Sequence, residues 1–289
     1  MQFELTKEFI SEISNAINKG DSHFIVSHVN ELHPADIAEI MDYVNLQEAQ
    51  YIYELLDEEQ AADVLVEIDE DVRDKFLASL SAKEIAESIE NMDSDDATDL
   101  IQDLPEKKQE EVLSEIKDES QSSDISDLLA YEEDSAGGIM AKEFVAANSD
   151  WTVKEALTML RKQVEDVDNV YTIYVTNVQF KLLGTLSLKK FLYASDETLI
   201  KDLYRPDPIV VNAMVPAEEV ASIMEKYELV VIPVVNDLGV LIGRITIDDA
   251  LEVIKEEAEK DYQMASGISE KVESSDNICL LYTSPSPRD

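Results

Sequence analysis

VYTIYVTNVQFKLLGTLSLKKFL (Val170–Leu192) and LVVIPVVNDLGVLIGRITIDDAL (Leu229–Leu251) align without a gap, and Gly184 falls on Gly243. Each copy opens with a near-continuous run of β-branched and other apolar residues, the pattern of strands covered by helices. Helical stretches precede both copies, WTVKEALTML from Trp151 and PAEEVASIME from Pro216. They correspond as well, offset because the first copy has the longer loop. The duplication predicts two β-α-β-β-α units in tandem, packed on each other through their sheets and neither complete alone. From Glu252 the second copy runs on into EVIKEEAEKDYQMASGI, a helix longer than its counterpart, with Gly267 and Ser274, Ser275 as its expected end.

Toward the N-terminus the period changes. Leu32, Leu56, Leu80 and Leu104 recur every 24 residues, each opening a copy of one pattern: HPADIAEIM, DEEQAADVL, SAKEIAESI, PEKKQEEVL. Apolar residues follow at helical spacing: Ile37, Ile40, Met41 and Val44; Ala61, Val64, Leu65 and Ile68; Ile85, Ile89 and Met92; Val112, Leu113 and Ile116. That is one stripe of a 3.6-residue period. Pro34 and Pro105 suit a first helical position, and Asp57 with Gln60 and Ser81 with Glu84 read as capping boxes. A second apolar set, such as Ile52 and Tyr53 or Leu100 and Ile101, supplies a return helix. Stacked hairpins bury a continuous core between neighbours, which predicts an all-α superhelical array over residues 1–131.

The chain of 289 residues carries 64 acidic residues against 23 Lys and Arg, a formal charge of −41. Residues 1–137 hold 38 of the acids and 8 of the bases. Such a polyanion is repelled by phosphate backbones, which excludes nucleic acid as a partner and favours cations or a basic protein. The one cysteine, Cys279, excludes an internal disulfide framework. No apolar run approaches the length of about 18 residues expected of a membrane span, so the residues themselves read as soluble and cytoplasmic. No nucleophile elbow, P-loop, HExxH or CxxC occurs, so no enzymatic activity is expected. His23, His28 and His33 are five apart, which scatters them around a helix rather than forming a metal trio.

GRITIDD, Gly243–Asp249, contains the Gly-x-x-Thr/Ser-x-x-Asp stretch of cystathionine-β-synthase-type (CBS) domains, and the tandem unit resembles a CBS pair. An acidic helical array, then YEEDSAGGIMAKEFVA (Tyr131–Ala146), then a CBS pair and an acidic helix is similar to the MgtE family of magnesium transporters over nearly all of residues 1–277. The resemblance implies a multi-domain fold: an all-α superhelical repeat domain (1–131), a first CBS domain (132–203), a second (204–252), and a connecting, or plug, helix (253–277). Residues 278–289, ending in a Ser/Pro tail, continue none of these patterns and read as foreign to the fold. In that family a transmembrane pore domain follows, placing a region like this one on the cytoplasmic side of the membrane. A homodimer through the CBS domains is implied too.

Magnesium prefers an octahedron of oxygens and is usually held by one or two carboxylates. In NMDSDDATDL, Asp95 and Asp99 stand one turn apart on one helix face, although Asp95 and Asp96 also complement the helix dipole. The resemblance implies Mg2+ ligation by Asp95 and Asp99, by Asp63, by Asp249 and Glu252 across the interface, by Glu228, by Glu257 and Asp261 on the connecting helix, and by the Gly138 backbone. Lys260 stands where the family has another acid. Thr246 and Asp249 retain a pattern able to hold the phosphate and ribose of ATP or AMP, whereas the first copy, Ser187 to Lys190, has lost its acid. Three functions are therefore open: a magnesium sensor that closes on the ion and shuts a pore, a nucleotide-responsive CBS regulator, and a helical scaffold for a basic partner.

Overall fold

The computed structural model describes residues 5–265, apart from residues 165, 166 and 168. The expected tail, and the expected end of the last helix near Gly267, lie outside the described residues.

Helices α1 (Lys7–Lys19) and α2 (Ser22–Val29) precede four hairpins: α3 (Pro34–Tyr43) with α4 (Leu46–Tyr53), α5 (Glu58–Glu67) with α6 (Glu70–Ser79), α7 (Ala82–Ile89) with α8 (Ser94–Gln102), and α9 (Glu106–Glu115) with α10 (Glu119–Leu128). The leading helices stack in series, α3 on α5, α5 on α7 and α7 on α9. The periodic stripe is their shared core: Ile37, Ile40, Met41, Val64, Leu65, Ile85, Ile89 and Val112 are fully buried. Each such side chain contributes about 1.5–3 kcal/mol by leaving water, and each repeat supplies part of its neighbour's core. That is why the array can carry so many surface acids.

Helix starts follow the sequence with two differences. Ser81 and Glu84 form the expected box, the Ser81 N–H donating to Glu84 Oε2 at 2.7 Å. Asp57 caps α5 by accepting from the Gln60 N–H at 2.9 Å, but the Gln60 amide donates to the Asn30 carbonyl at 3.2 Å instead of turning back. Contact with the end of α2 wins over the local box. Pro105 is the N-cap of α9 rather than its first residue, with extended backbone.

Two small sheets follow. The first has the order β1 (Ala146–Asn148), β2 (Ile173–Thr176), β3 (Leu182–Leu186), β4 (Arg205–Pro206), with α11 (Val153–Gln163) and α12 (Leu188–Tyr193). The second has β5 (Val211–Asn212), β6 (Val231–Val235) and β7 (Leu241–Thr246), with α13 (Ala217–Tyr227) and α14 (Ile247–Ala265). In each, the first pair is parallel and the second antiparallel. The two hairpin tips bond to each other, Leu182 N–H to the Gly239 carbonyl at 3.1 Å and Leu241 N–H to the Phe180 carbonyl at 3.0 Å.

The aligned glycines have one physical reason. A Cβ on Gly184 would lie 2.1 Å from the Arg205 carbonyl oxygen, and one on Gly243 would lie 2.7 Å from Met140 Sδ and 2.8 Å from the Ala141 carbonyl oxygen. In each copy another stretch of chain crosses the strand there. In the first copy it is β4, which carries that sheet to Pro206, past the expected boundary at residue 203. In the second it is the connector between the helical array and β1. The connector N–H groups of Ala136 and Gly137 donate to the carbonyls of Val215 and Ala213, and Ala141 pairs in both directions with Arg244. Residues 136–141 therefore complete the second unit although they precede the first. Leu128 of α10 and Met140 share the second unit's core with Val220, Met224 and Ile245, which seats the end of the array there. The expected division between residues 252 and 253 falls inside α14, a single continuous helix.

Candidate metal centre

Where the array meets the second unit, α8, the connector, β7 and α14 converge. Asp93 is the N-cap residue of α8, yet its side chain caps nothing. Glu143 of the connector takes that role: the Ser94 N–H and hydroxyl donate to its Oε2 at 3.2 and 2.9 Å. An N-terminus of partial positive charge favours a carboxylate from any part of the chain. The Lys142 N–H donates to the Ser94 hydroxyl at 2.8 Å. Asp93 is left to face β7, where its Oδ2 accepts from the Arg244 guanidinium at 2.9 Å, and Arg244 Nε donates to the Glu143 carbonyl oxygen at 2.5 Å. Opposite, Asp249 accepts from the Thr246 N–H at 2.8 Å and hydroxyl at 2.7 Å, fastening the start of α14.

The electrostatics are those of crowded anions. Burial, then Asp96, Asp249, Asp93 and Glu143, hold the Asp95 carboxyl well above the ordinary range. Asp96 is pushed up to about 7 by burial, then by Asp249, Asp93, Glu252 and Asp248. Asp99 is pushed up to about 8 by burial, then Asp96 and Glu252, with Arg73 opposing. Its side chain is exposed at the lip of the seam, so solvent screens it more than Asp95. Burial raises Asp249 as well, against the two hydrogen bonds from Thr246.

Such a seam fits a hard divalent cation. Carboxylate oxygens of Asp93, Asp95 and Glu143 lie within 4.8 Å of one another. Oxygens on one octahedral magnesium at about 2.0–2.1 Å are separated by about 2.9–4.2 Å, so small side-chain movements or a bridging water close the difference. Every donor is oxygen, and the crowding supplies the incentive.

The expected residues divide into three groups. Asp95 and Asp99 on α8 and Asp249 and Glu252 on α14 meet at the seam, since each α8 carboxyl is shifted by an acid of α14. Asp63 is exposed on α5, Glu228 is exposed in left-handed backbone (φ 52°) at the end of α13, and Gly138 is buried in the connector, its N–H bonded to Ser135. The acids acting on the seam carboxylates come instead from α8 with its cap residues, from α14 and from the connector. Glu257 and Asp261 fall one turn apart on the backbone of α14, and their side chains lie outside what is described. Sequence reasoning missed Asp93, Glu143 and Arg244. Spacing along one helix selects residues four apart and has no means of choosing a cap position or a connector residue.

Comparison with known proteins agrees with this arrangement. Residues 32–134 match the MgtE intracellular N domain, and residues 136–197 and 200–256 match the CBS domain. The magnesium transporter MgtE of Thermus thermophilus is 31% identical over 253 residues, 86% of this chain and 56% of that protein. The chain thus spans about half the length of the curated relatives it matches. The crystal structure of the soluble part of a magnesium transporter superposes with a TM-score of 0.77 at 27% identity, covering 87% of this chain and 99% of that one. The cytosolic domain of the Mg2+ channel MgtE in complex with ATP gives 0.77 at 30% identity, covering 84% and 99%. No helix among the described residues is long and apolar enough to cross a membrane. With an MgtE N domain followed by two CBS domains, and a superposition that covers almost the full length of those solved structures, the chain belongs to the MgtE family and corresponds to its cytosolic region.

Proposed function

We propose that this region senses magnesium for a membrane transporter, closing when Mg2+ bridges the seam and thereby shutting a pore. The observation that carries the reading is the meeting of Asp95, Asp96 and Asp99 with Asp249 and Glu252 across a seam of like charge. Unit like charges at about 4 Å repel by roughly 1–4 kcal/mol near a protein surface. At low magnesium that repulsion pushes the array off the CBS pair. Ions that bind better to the closed arrangement shift the population toward it. Residues 1–131 are then the sensing arm, the CBS pair the platform, and the helix from residue 253 the transmission to a pore domain, giving negative feedback on transport. Leu192, Tyr193, Leu251, Ile254 and Tyr262 are exposed on α12 and α14. These exposed apolar side chains support a homodimer, which would set two final helices side by side.

The test is small-angle scattering with limited proteolysis across a magnesium titration. Millimolar Mg2+ should give a smaller, more protected particle, and sodium at equal ionic strength should not. Equal compaction by sodium would leave only general screening and remove the reading.

A nucleotide role has one specific observation in its favour, the ATP complex of the relative described above. In this chain Asp249 is engaged by Thr246, so a ribose would compete with the start of α14. Thermal stabilisation by ATP that is lost in Asp249→Ala would support that role.

A further inference from the structure

We infer that Arg244 is a tethered cation whose pairing with Asp93 offsets part of the repulsion between the helical array and the CBS pair without metal, and so sets how much divalent ion the seam requires. The residue is 6% exposed and joins three segments far apart in sequence. Its guanidinium donates to Asp93, 151 positions away, and its Nε to the Glu143 carbonyl, 101 positions away. Its backbone is held on both sides: it is opposite Pro233 in β6, its N–H donates to the Ala141 carbonyl at 2.9 Å, and its own carbonyl accepts from the Ala141 N–H at 2.8 Å.

This anchoring gives the ion pair its consequence. If α8 leaves the seam, Asp93 goes with it, but Arg244 cannot follow because β6 and the connector hold its backbone. Separation therefore strips a carboxylate from a largely buried guanidinium, and removing one partner of a buried pair is far more costly than losing a surface pair. The duplication shows that the strand itself does not require an arginine. With Gly184 on Gly243, the position aligned with Arg244 is Thr185, in the copy that does not meet Asp93. Only the copy facing the array places a cation there. Among the seam acids Asp93 is consequently neutralised by the protein itself, whereas Asp95 and Asp96 are surrounded mainly by other acids.

The inference concerns closure in the absence of divalent ions, and rests on the magnesium reading only for its effect on the titration. The discriminating variant is Asp93→Asn. General relief of charge at an acidic seam predicts a more compact particle, whereas loss of the latch predicts a more open one. Asp93 is partly solvent-accessible and caps nothing in its own helix, so the substitution spares the fold. Scattering and protease protection of the full chain in EDTA at about pH 5, where protonated seam carboxyls favour docking, should show the closed-to-open ratio falling about tenfold or more in Asp93→Asn. Arg244→Met, of similar length, should do the same, and the double variant should be no worse than either single one. Both single variants should need more Mg2+ to close. Unchanged or increased compactness of Asp93→Asn in EDTA overturns the inference, whether or not Arg244→Met folds. If magnesium fails to compact the wild-type chain while Asp93→Asn still opens it, the sensing reading falls and the latch stands.

Discussion

Asp96→Asn should do the opposite of Asp93→Asn, although the two residues are three apart and both acidic. Asp96 lies beside Asp249, Asp93, Glu252 and Asp248, and its carboxyl is raised from 3.8 to about 7. At 1.36 kcal/mol per pH unit, its ionised form is disfavoured by at most about 4 kcal/mol. The largest share comes from burial, part of it within the array itself, and persists when the array swings away. The share from Asp249, Glu252 and Asp248 belongs to the docked state because all three are on α14. Allotting that share about 1–2 kcal/mol, the amide should favour the closed arrangement by about 10-fold at pH 8 in EDTA. Its shape is retained, so the packing of α8 is undisturbed. Scattering in EDTA would show Asp96→Asn as compact as the wild type in millimolar magnesium, with a correspondingly weaker response to added ion. A variant that is as open as the wild type in EDTA would refute the argument. Asp96 would then be an ordinary helix-terminal charge to which docking is indifferent.

Two further predictions follow from the same seam. Asp249, Glu252 and Asp248 of α14 add to the rise of the Asp96 carboxyl, which reaches about 7, and Glu252 adds to that of Asp99, so the docked state binds more protons than the separated state. Docking without metal is therefore favoured in acid and lost as pH rises from about 4 toward 8; thermal melts in EDTA should fall across that range, and saturating magnesium should flatten the slope. Rising stability with pH in EDTA would contradict this. Thr246→Val removes the 2.7 Å hydroxyl bond to Asp249 at the start of α14, a loss of about 1 kcal/mol by comparison with other helix caps. The melting temperature should drop by about 2–4 °C, and an unchanged melt would show that the Thr246 N–H alone secures Asp249.

The helical array and the duplicated α/β units were legible in the residues because both depend on local periodicity. A stripe such as Ile37, Ile40 and Met41 can be buried only on one side of a helix, and LVVIPVV suits only a strand shielded on both faces. Spacing put Asp95 and Asp99 on one helix face, and the family resemblance singled them out together with Asp249 and Glu252. Asp93, Glu143 and Arg244 were not legible. An aspartate just before a helix is ordinarily its cap, yet Glu143, 49 residues beyond Ser94, caps α8 and frees Asp93 for Arg244. Asp57 and Gln60 show the same competition on a smaller scale, a local box yielding to the end of α2. Local patterns decide which face of an element is buried. Which carboxylate meets which cation was decided by the connector crossing β7, a contact available only once both units are folded and their charges are brought out of water together.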